Sequence, residues 1–390
     1  MHRIMKIAIL PVALLLNSCG LYNYYKVARV KESSYTVGPT LSQDFSFEII
    51  NNRIVVPVII QGREYNFLFD TGAPLVIDCK LLNEIEYEHV ARIKATDSNE
   101  LGRSLLYIKL SEIKAFESTF NAQGAIVMDL SESVRNSCIN ISGIFGASVM
   151  KDLIWQINFE KQTIRVSDKI ENLEVDSHSL KLSFDKNSSQ SPMMEVNIDE
   201  DKEKLILDTG SGSTFTFSKA SRILSSENTI FTAIGTFGGV FGISSDTIRY
   251  LKKTIELSPS DSGSWRGVVA VRNGLKEGVV GLGFLKEYLV TIDWINQNLY
   301  LKRMVHNHSA WSTYGFSVGK TGQYMIVNTV FQNSMAYEEG LKAGDIINEI
   351  DDFNFDNSSE TSICDFIESD YLKKVDSSIL VKVNDMENYI

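Results

Sequence analysis

The sequence predicts a mainly β protein in which two copies of one unit are followed by a third region. The chain has 390 residues, 44% of them hydrophobic, which is enough to bury more than one core. Its apolar stretches are mostly short runs broken by Asn, Gly and Asp, the pattern of strands and turns. One strand-and-turn segment also occurs twice, once around Asp70 and again around Asp208.

The charge balance excludes one class of partner. Asp and Glu number 49 against 38 Lys and Arg, which gives a formal net charge of −11 and a pI near 5.1. An acidic surface repels phosphate backbones, so nucleic acid is not an expected partner. Charged residues make up 22% of the chain, the share of an ordinary globular protein, which excludes a wholly disordered chain.

The first residues have the pattern of an export signal. Arg3 and Lys6 precede an apolar run, Ile7 to Leu16, that is too short to span a bilayer but typical of a signal-peptide core. The run ends in Leu-Asn-Ser-Cys-Gly, which resembles a bacterial lipobox with Cys19 as the lipidated residue. An ordinary signal peptide with an incidental cysteine is the alternative.

The lipobox resemblance implies how and where the chain is attached. Residues 1–18 would be the removed signal peptide, and Cys19 would carry the lipid that anchors the protein to a membrane. Residues 19–42 are polar and predict a tether. Gly20 agrees with sorting to the outer membrane, so the expected location is the cell envelope, as a membrane-anchored, periplasm-facing lipoprotein.

The first β-rich unit is predicted over residues 43–170. Its opening strand is followed by Gln-Gly-Arg-Glu at positions 61–64, which predicts a hairpin turn into the next strand. The predicted strands are Ile54 to Ile60, Tyr65 to Phe69, Leu105 to Leu110 and Ala125 to Met128.

An internal repeat defines the second unit, residues 171–305. The segment Asn66 to Ala73, which contains Asp-Thr-Gly, recurs as Lys204 to Ser211. Gly143 to Gly146 recurs as Gly278 to Gly281, and each copy then continues into a strand, a turn and a strand. Chance can give one Asp-Thr-Gly triplet, but it would not readily give two in register with a second matching motif. The middle of the chain is therefore predicted to be one unit in two copies.

The repeated triplets predict an acid–base pair. A carboxylate that directly follows buried strand residues needs hydrogen bonds, which the adjacent Gly N–H and Thr hydroxyl can supply. Two such turns related by a pseudo-twofold axis would bring Asp70 and Asp208 face to face, where they share one proton. One carboxyl is then a base and the other an acid, so together they can activate a water without a metal or cofactor. The turns also contain Thr71, Gly72, Thr209 and Gly210.

These motifs resemble those of the retropepsin-like aspartic proteases, over residues 45 to 303. The resemblance implies that Asp70 and Asp208 are the catalytic pair, that Ser211 belongs to the second active-site turn, and that polypeptides are the substrates. The hydrophobic–hydrophobic–Gly elements at 144–146 and 279–281 would pack behind the turns. A mobile flap over the cleft would be formed by the glycine-rich segment 236–242, with Gly238, Gly239 and Gly242.

Two departures from that family affect the expected chemistry. In the family, a hydroxyl directly after the triplet hydrogen-bonds the nearby aspartate and favours its ionised form. Ser211 carries such a hydroxyl, but Ala73 does not, so the pair is expected to work at a milder pH than a digestive acid protease. The flap of the first unit is less clear, because Arg92 to Leu105 contains only one glycine, Gly102.

Residues 306–390 are predicted to form a third domain that resembles a PDZ domain over positions 312–388. Gly340 to Ile347 matches the Gly-Leu-x-x-Gly-Asp-x-Ile stretch of that family. The resemblance implies that Tyr314, Gly315 and Phe316 form a loop that receives the C-terminal carboxylate of a peptide. The alternative is a PDZ-like fold that serves only as a spacer or brace. A helix is predicted at Glu360 to Tyr371 and a closing strand at Ser378 to Val383.

The cysteines and histidines do not have metal-ligand spacing, so no metal is expected. An exported protein can form disulfides, and Cys79 and Cys138 fall in the same unit. They are predicted to be either bridged to each other or buried as two free thiols. His306 and His308 lie in a polar connector and are expected to be solvated.

Two functions follow from this sequence. The first is a lipid-anchored aspartic endopeptidase that cleaves exported polypeptides, with the third domain binding peptide C-termini. The second is a catalytically inert peptide-binding sensor or adaptor, with an inert cleft and a working groove in the PDZ-like domain.

Overall fold

The fold is mainly β, as predicted, with 54% of the chain in strands and 15% in helices. It is known from a computed structural model. The residues that this structure describes are 21–96, 102–131, 138–199, 201–218, 229–239, 242–257, 263–272, 275–304, 313–369, 371–373, 378–384 and 386–389. The predicted signal peptide, Cys19, and His306 and His308 lie outside these residues.

The first repeat contains the strands β1 (Tyr35–Val37), β2 (Phe45–Ser46), β3 (Glu48–Ile50), β4 (Arg53–Ile60), β5 (Arg63–Asp70), β6 (Val76–Asp78), β7 (Glu88–Thr96), β8 (Gly102–Ala115), β9 (Ser118–Met128), β10 (Gly143–Gly146), β11 (Ile154–Asn158) and β12 (Thr163–Ser167). All four predicted strands fall within β4, β5, β8 and β9. Nine of the strands form one sheet, with the order β1-β9-β6-β10-β5-β4-β8-β7 and with β3 paired to β4.

The second repeat builds the same arrangement of strands. β15 lies parallel to β20, just as β5 lies parallel to β10 in the first repeat. Its strands are β13 (Leu180–Lys186), β14 (Pro192–Ile198), β15 (Asp201–Leu207), β16 (Phe215–Ser218), β17 (Thr229–Gly239), β18 (Gly242–Glu256), β19 (Ser264–Arg272), β20 (Gly278–Val280), β21 (Tyr288–Asp293) and β22 (Asn298–Arg303).

A central sheet joins the two repeats, in the order β2-β12-β11-β21-β22-β13. Its middle pair is β11 with β21, where Ile154 to Asn158 lie antiparallel to Leu289 to Asp293. The sheet contributes the fully buried Trp155, and the fully buried Trp294 directly follows β21. The strand, turn and strand that end each copy therefore form the junction between the repeats.

The helices are short apart from the first, which covers residues 21–33 and is called α1 here. The others are α2 (Ala147–Met150), α3 (Leu282–Leu285), α4 (Met335–Glu338) and α5 (Glu360–Glu368). Single 3-10 turns are formed by Cys79–Asn83, Ile170–Asn172 and Tyr371–Lys373. Within the described part of the chain, no helix has the length and apolar character needed to cross a bilayer.

Part of the predicted tether, residues 19–42, is in contact with the first repeat. In α1, Val30 is buried and packs with Val90, Ala91 and Tyr107 of the first repeat. β1 then pairs with β9 in the register Tyr35 to Asn121, so the chain is attached to the body well before residue 43. Apolar residues in a stretch that is otherwise polar explain the difference, because they are buried against the first sheet.

The C-terminal region has its own small core and one four-stranded sheet of its own. It contains β23 (Phe316–Thr321), β24 (Tyr324–Phe331), β25 (Ile347–Ile350), β26 (Phe353–Asn354), β27 (Leu380–Val383) and β28 (Met386–Tyr389). The predicted helix is present as α5, and the predicted closing strand as β27. β24 also pairs with β17, so the sheet of the second repeat continues into this region and ends at β23.

The disulfide differs from the one considered from the sequence. Cys138 is bonded to Cys364 of α5, 226 residues further along the chain, while Cys79 is a half-buried free thiol. Both alternatives considered from the sequence are therefore wrong for Cys138, which is neither bridged to Cys79 nor a free thiol. Proximity in sequence suggested that pair, but the fold brings α5 of the C-terminal region next to Cys138.

Thiol labelling tests this pairing. In the unfolded but unreduced chain from Gly20 to Ile390, we expect an alkylating reagent to modify Cys79 alone, because the other two sulfurs are bonded to each other. After reduction, all three cysteines should be modified, as read by peptide mass spectrometry. Labelling of Cys138 or Cys364 before reduction would contradict the pairing.

Candidate active site

The two Asp-Thr-Gly turns meet at the junction of the repeats and are joined by their threonines. The Thr71 N–H donates to Thr209 Oγ1 at 3.0 Å, and the Thr209 N–H donates to Thr71 Oγ1 at 3.1 Å. Each hydroxyl also donates across the junction, from Thr71 to the Leu207 carbonyl (2.5 Å) and from Thr209 to the Phe69 carbonyl (2.9 Å). Both threonines are fully buried, so these four bonds satisfy groups that water cannot reach.

The two carboxyls are in contact with each other. Gly72 and Gly210 each donate a backbone N–H to the aspartate of their own turn, at 2.7 and 2.8 Å. Each glycine also faces the opposite aspartate. A Cβ at Gly72 would lie 2.7 Å from Asp208 Cγ, and a Cβ at Gly210 would overlap the Asp70 carboxyl. Only glycine allows this approach, and a hydrogen bond joins the side chains of Asp70 and Asp208.

Burial raises the pKa values of both carboxyls. For Asp70, burial is the largest cause, and the charge of Asp208 raises the pKa further. For Asp208, burial also raises the pKa, but the hydrogen bonds from Asp70 and from the Gly210 and Ser211 N–H groups oppose it. The two carboxyls therefore titrate as a coupled pair, and their raised pKa values favour a state in which the pair holds one proton. Both residues keep part of their surface open to solvent, so the pair is not sealed off.

A short strand supports each turn from behind. In the first repeat, Gly146 pairs with Asp70, and the Ala147 N–H donates to the Ala73 carbonyl at 2.8 Å. In the second repeat, the Asp208 N–H donates to the Val280 carbonyl at 2.9 Å. β10 contains the first hydrophobic–hydrophobic–Gly element, and β20 contains the second apart from Gly281, which directly follows the strand. Their parallel pairing fixes the backbone from which each carboxyl projects.

The hydroxyl of Ser211 takes a different partner from the one that the resemblance implies. It lies 2.9 Å from the hydroxyl of Ser213. Ser211 lowers the pKa of Asp208 through its backbone N–H instead. Ala73 also contributes only a backbone N–H, which lowers the pKa of Asp70. Neither carboxyl therefore receives the hydroxyl bond that the family pattern implies.

Arg53 is a candidate site residue that sequence reasoning missed. It begins β4 and is half-buried, and its positive charge lowers the pKa of Asp208. Burial lowers the pKa of Arg53, whereas the charges of Asp70 and Asp208 raise it. A comparison of the repeats could have found it, because the aligned strands place Ser191 at the corresponding position. At this pair of aligned positions, only the first repeat carries a positive charge.

Hairpins are present in both repeats where flaps were considered. Gly238 pairs with Ile243 and Gly239 with Gly242 in the β17–β18 hairpin, and its tip, residues 240–241, lies outside the described residues. The first repeat has the β7–β8 hairpin, with Thr96 paired to Gly102. The sequence signal was weak there because the hairpin is built from β-branched and charged residues rather than glycines.

The β17 strand is also bonded to the C-terminal region. Ala233 to Gly235 pair with Thr329 to Phe331, and the Gln332 N–H donates to the Thr232 carbonyl at 2.8 Å. The rings of Phe231, Tyr250 and Phe331 contact one another beside this pairing. One edge of the flap strand is thus occupied by β24 rather than open to solvent.

The predicted carboxylate loop lies at the start of β23, at the edge of the sheet. Gly315 has a φ of +89°, and its N–H already donates to Thr313 Oγ1 at 3.2 Å. Its carbonyl accepts from the Phe331 N–H at 2.9 Å. Tyr314 is half-buried and Phe316 is buried in the core of the C-terminal region. In this conformation the Gly315 N–H is therefore not free for a ligand.

Comparisons with models of protein families and with curated proteins found no match to this chain.

The raised pKa values predict an effect on stability. A carboxyl whose pKa is raised by folding favours the folded state at low pH, and that contribution is lost as the pH rises from the unfolded pKa through the folded one. Asp70→Asn or Asp208→Asn should therefore raise the melting temperature at pH 7 by about 2–4 °C, the shift that roughly 1 kcal/mol gives in a domain of this size.

The increase in melting temperature should be smaller at pH 4 than at pH 7, because the unsubstituted pair is protonated to a greater extent at pH 4. Asp352→Asn, at an exposed position, is the matched control and should leave the melting temperature unchanged at both pH values. A lower melting temperature at pH 7 in both site variants would contradict the assignment.

Proposed function

We propose that the chain is an aspartic endopeptidase with two retropepsin-like lobes, residues 43–170 and 171–305. The observation that carries the proposal is the contact between Asp70 and Asp208, which share a hydrogen bond and have raised pKa values while staying open to solvent. A pair with one proton offers both a base and an acid at the same pH. The arrangement fits hydrolysis of a peptide bond by an activated water.

The proposed reaction has two steps. Asp208 accepts a proton from a water molecule while the water oxygen bonds to the carbonyl carbon of the substrate, and Asp70 gives its proton to the carbonyl oxygen. In the second step the C–N bond breaks. Asp208 passes its proton to the leaving nitrogen, and Asp70 recovers a proton as the carbonyl re-forms. The pair thus returns to its starting state, without a metal or cofactor.

Arg53 and the turn N–H groups keep the resting pair in its working charge state. The Arg53 charge and the Gly210 and Ser211 N–H groups all lower the pKa of Asp208, which favours its ionised form. Asp70 has the Gly72 and Ala73 N–H groups but also faces the charge of Asp208. In the proposed mechanism, Asp208 serves as the base and Asp70 as the acid.

Residues 306–390 are proposed to form a PDZ-like domain that binds peptide C-termini beside β23. Cys19 is proposed to carry a lipid that holds the protein in the cell envelope. The Cys138–Cys364 disulfide supports an exported location, because such bonds persist in oxidising compartments. Exported polypeptides are accordingly the proposed substrates.

A cleavage assay tests the proposed activity. We expect the chain from Gly20 to Ile390 to cut casein, and we expect Asp70→Asn and Asp208→Asn each to lower kcat/KM by about 10²–10⁴-fold, the usual loss when a general acid or base is removed. Both variants should keep their circular-dichroism spectrum. Asp352→Asn should cut like the unsubstituted chain.

Undiminished cleavage in both aspartate variants would end the proposal. Absence of cleavage by the unsubstituted chain from pH 4 to 7, together with measurable peptide binding, would instead identify an inert peptide-binding protein.

The pH dependence is a separate prediction. Activity requires an ionised Asp208 and a protonated Asp70, so it should fall at low pH as Asp208 gains a proton and at high pH as Asp70 loses one. Because both pKa values are raised, both limbs of the kcat/KM profile should move to higher pH, with an optimum above about pH 3. A profile that peaks below pH 3 would contradict the raised values.

A further inference from the structure

One face of helix α1 combines aromatic and basic side chains and has no protein partner in the described structure. Tyr22, Tyr25, Lys26 and Arg29 recur at the spacing of a single helical stripe. Leu21 lies beside them. Leu21, Tyr22 and Tyr25 are 68%, 60% and 56% exposed, among the most exposed large hydrophobic side chains of the described residues.

The stripe is held in a fixed direction because the other face of α1 is docked. Val30 is buried and Val27 packs beside it, against the first sheet. At the end of the helix, Lys31 Nζ donates to the Ser188 carbonyl at 3.2 Å, and Lys151 Nζ donates to Ser34 Oγ at 2.9 Å. The aromatic and basic residues therefore project away from the body as a group.

The composition of the stripe fits a particular surface. Tyrosine rings have an apolar body and a polar tip, and they favour the headgroup region of a bilayer. The cations are stacked on those rings, with Lys26 Nζ 4.7 Å from the centre of Tyr22 and Arg29 Cζ 5.6 Å from that of Tyr25. An aromatic and cationic helix face is the pattern of a helix that lies in the membrane interface.

The net charge of this helix is opposite in sign to that of the whole chain. Residues 21–33 contain three cations, Lys26, Arg29 and Lys31, and one anion, Glu32, whereas the whole chain has a net charge of −11. An anionic bilayer would attract α1 and repel the acidic body. The helix would then contact the bilayer while the body stays away from it.

We propose that this face of α1 binds the surface of an anionic lipid bilayer. The apolar run Ile7 to Leu16 and Cys19 directly precede the helix in sequence, so the exposed face begins next to the proposed lipid anchor. A lipid on Cys19 would attach the chain at one point only, which leaves the body free to rotate, and basic and aromatic residues are the side chains that add a second, orienting contribution at a bilayer surface. The stripe on α1 supplies that contribution and orients the body relative to the membrane.

Vesicle sedimentation tests the proposal without any turnover. The chain from Gly20 to Ile390 carries no lipid and keeps every contact described above. We expect it to sediment with vesicles of phosphatidylcholine containing one-quarter phosphatidylglycerol, and to sediment less with pure phosphatidylcholine. Tyr22→Ser with Tyr25→Ser should lower the partition coefficient by about tenfold or more.

Replacing the basic residues separates the electrostatic contribution to membrane binding from the contribution of the tyrosines. Lys26→Gln with Arg29→Gln should lower binding to the anionic vesicles by about thirtyfold and should have little effect on neutral ones. Binding of the unsubstituted chain should also weaken as the ionic strength rises. Tyr324→Ser with Tyr337→Ser, at positions 48% and 44% exposed on the C-terminal region, is the matched control and should leave binding unchanged.

The proposal is overturned if the unsubstituted chain does not sediment with the anionic vesicles. It is also overturned if both tyrosine pairs have the same effect, which would mean that the contact is not on α1. Neither result depends on peptidase activity, so the proposed function and the membrane contact stand or fall separately.

Discussion

The reciprocal hydrogen bonds between Thr71 and Thr209 are the constraint on which the candidate site depends. Two carboxyls that lie side by side repel each other when both are charged, and burial makes each charge costlier still. The threonines connect the two turns through buried donors and acceptors that water cannot replace. They thereby hold Asp70 and Asp208 at contact distance in spite of the unfavourable electrostatics, and a shared proton removes most of the repulsion.

The central sheet and the C-terminal region limit how the repeats can move around that site. β11 and β21 join the repeats below the turns, while β24 is bonded to β17 of the β17–β18 hairpin. The Cys138–Cys364 disulfide ties α5 to the first repeat. The C-terminal region is therefore attached to both repeats, and any displacement of β17 has to displace β24 as well. Pairing with β24 also protects an edge that would otherwise be open to association.

Several features could be predicted from the sequence because they depend on local patterns or on the repeat. Short apolar runs predicted the mainly β fold, and the duplicated Asp-Thr-Gly segments predicted that Asp70 and Asp208 would be placed equivalently. The helix at residue 360 and the strand that ends at Val383 were also evident from their patterns. A repeat is informative because one chain segment folds in the same way twice, so each copy serves as a comparison for the other.

The tertiary structure decided what depends on contacts between distant segments. Sequence alone left open which aspartate holds the proton. The structure adds the groups that act on the pair, namely Arg53 and the backbone N–H groups around each carboxyl. The partner of Cys138 and the pairing of β17 with β24 are likewise set by which surfaces meet after folding. The sequence by itself determined the two turns and their residues, because strand and turn preferences act over a few positions. Only the folded chain determined their electrostatics, since charge and burial act through space.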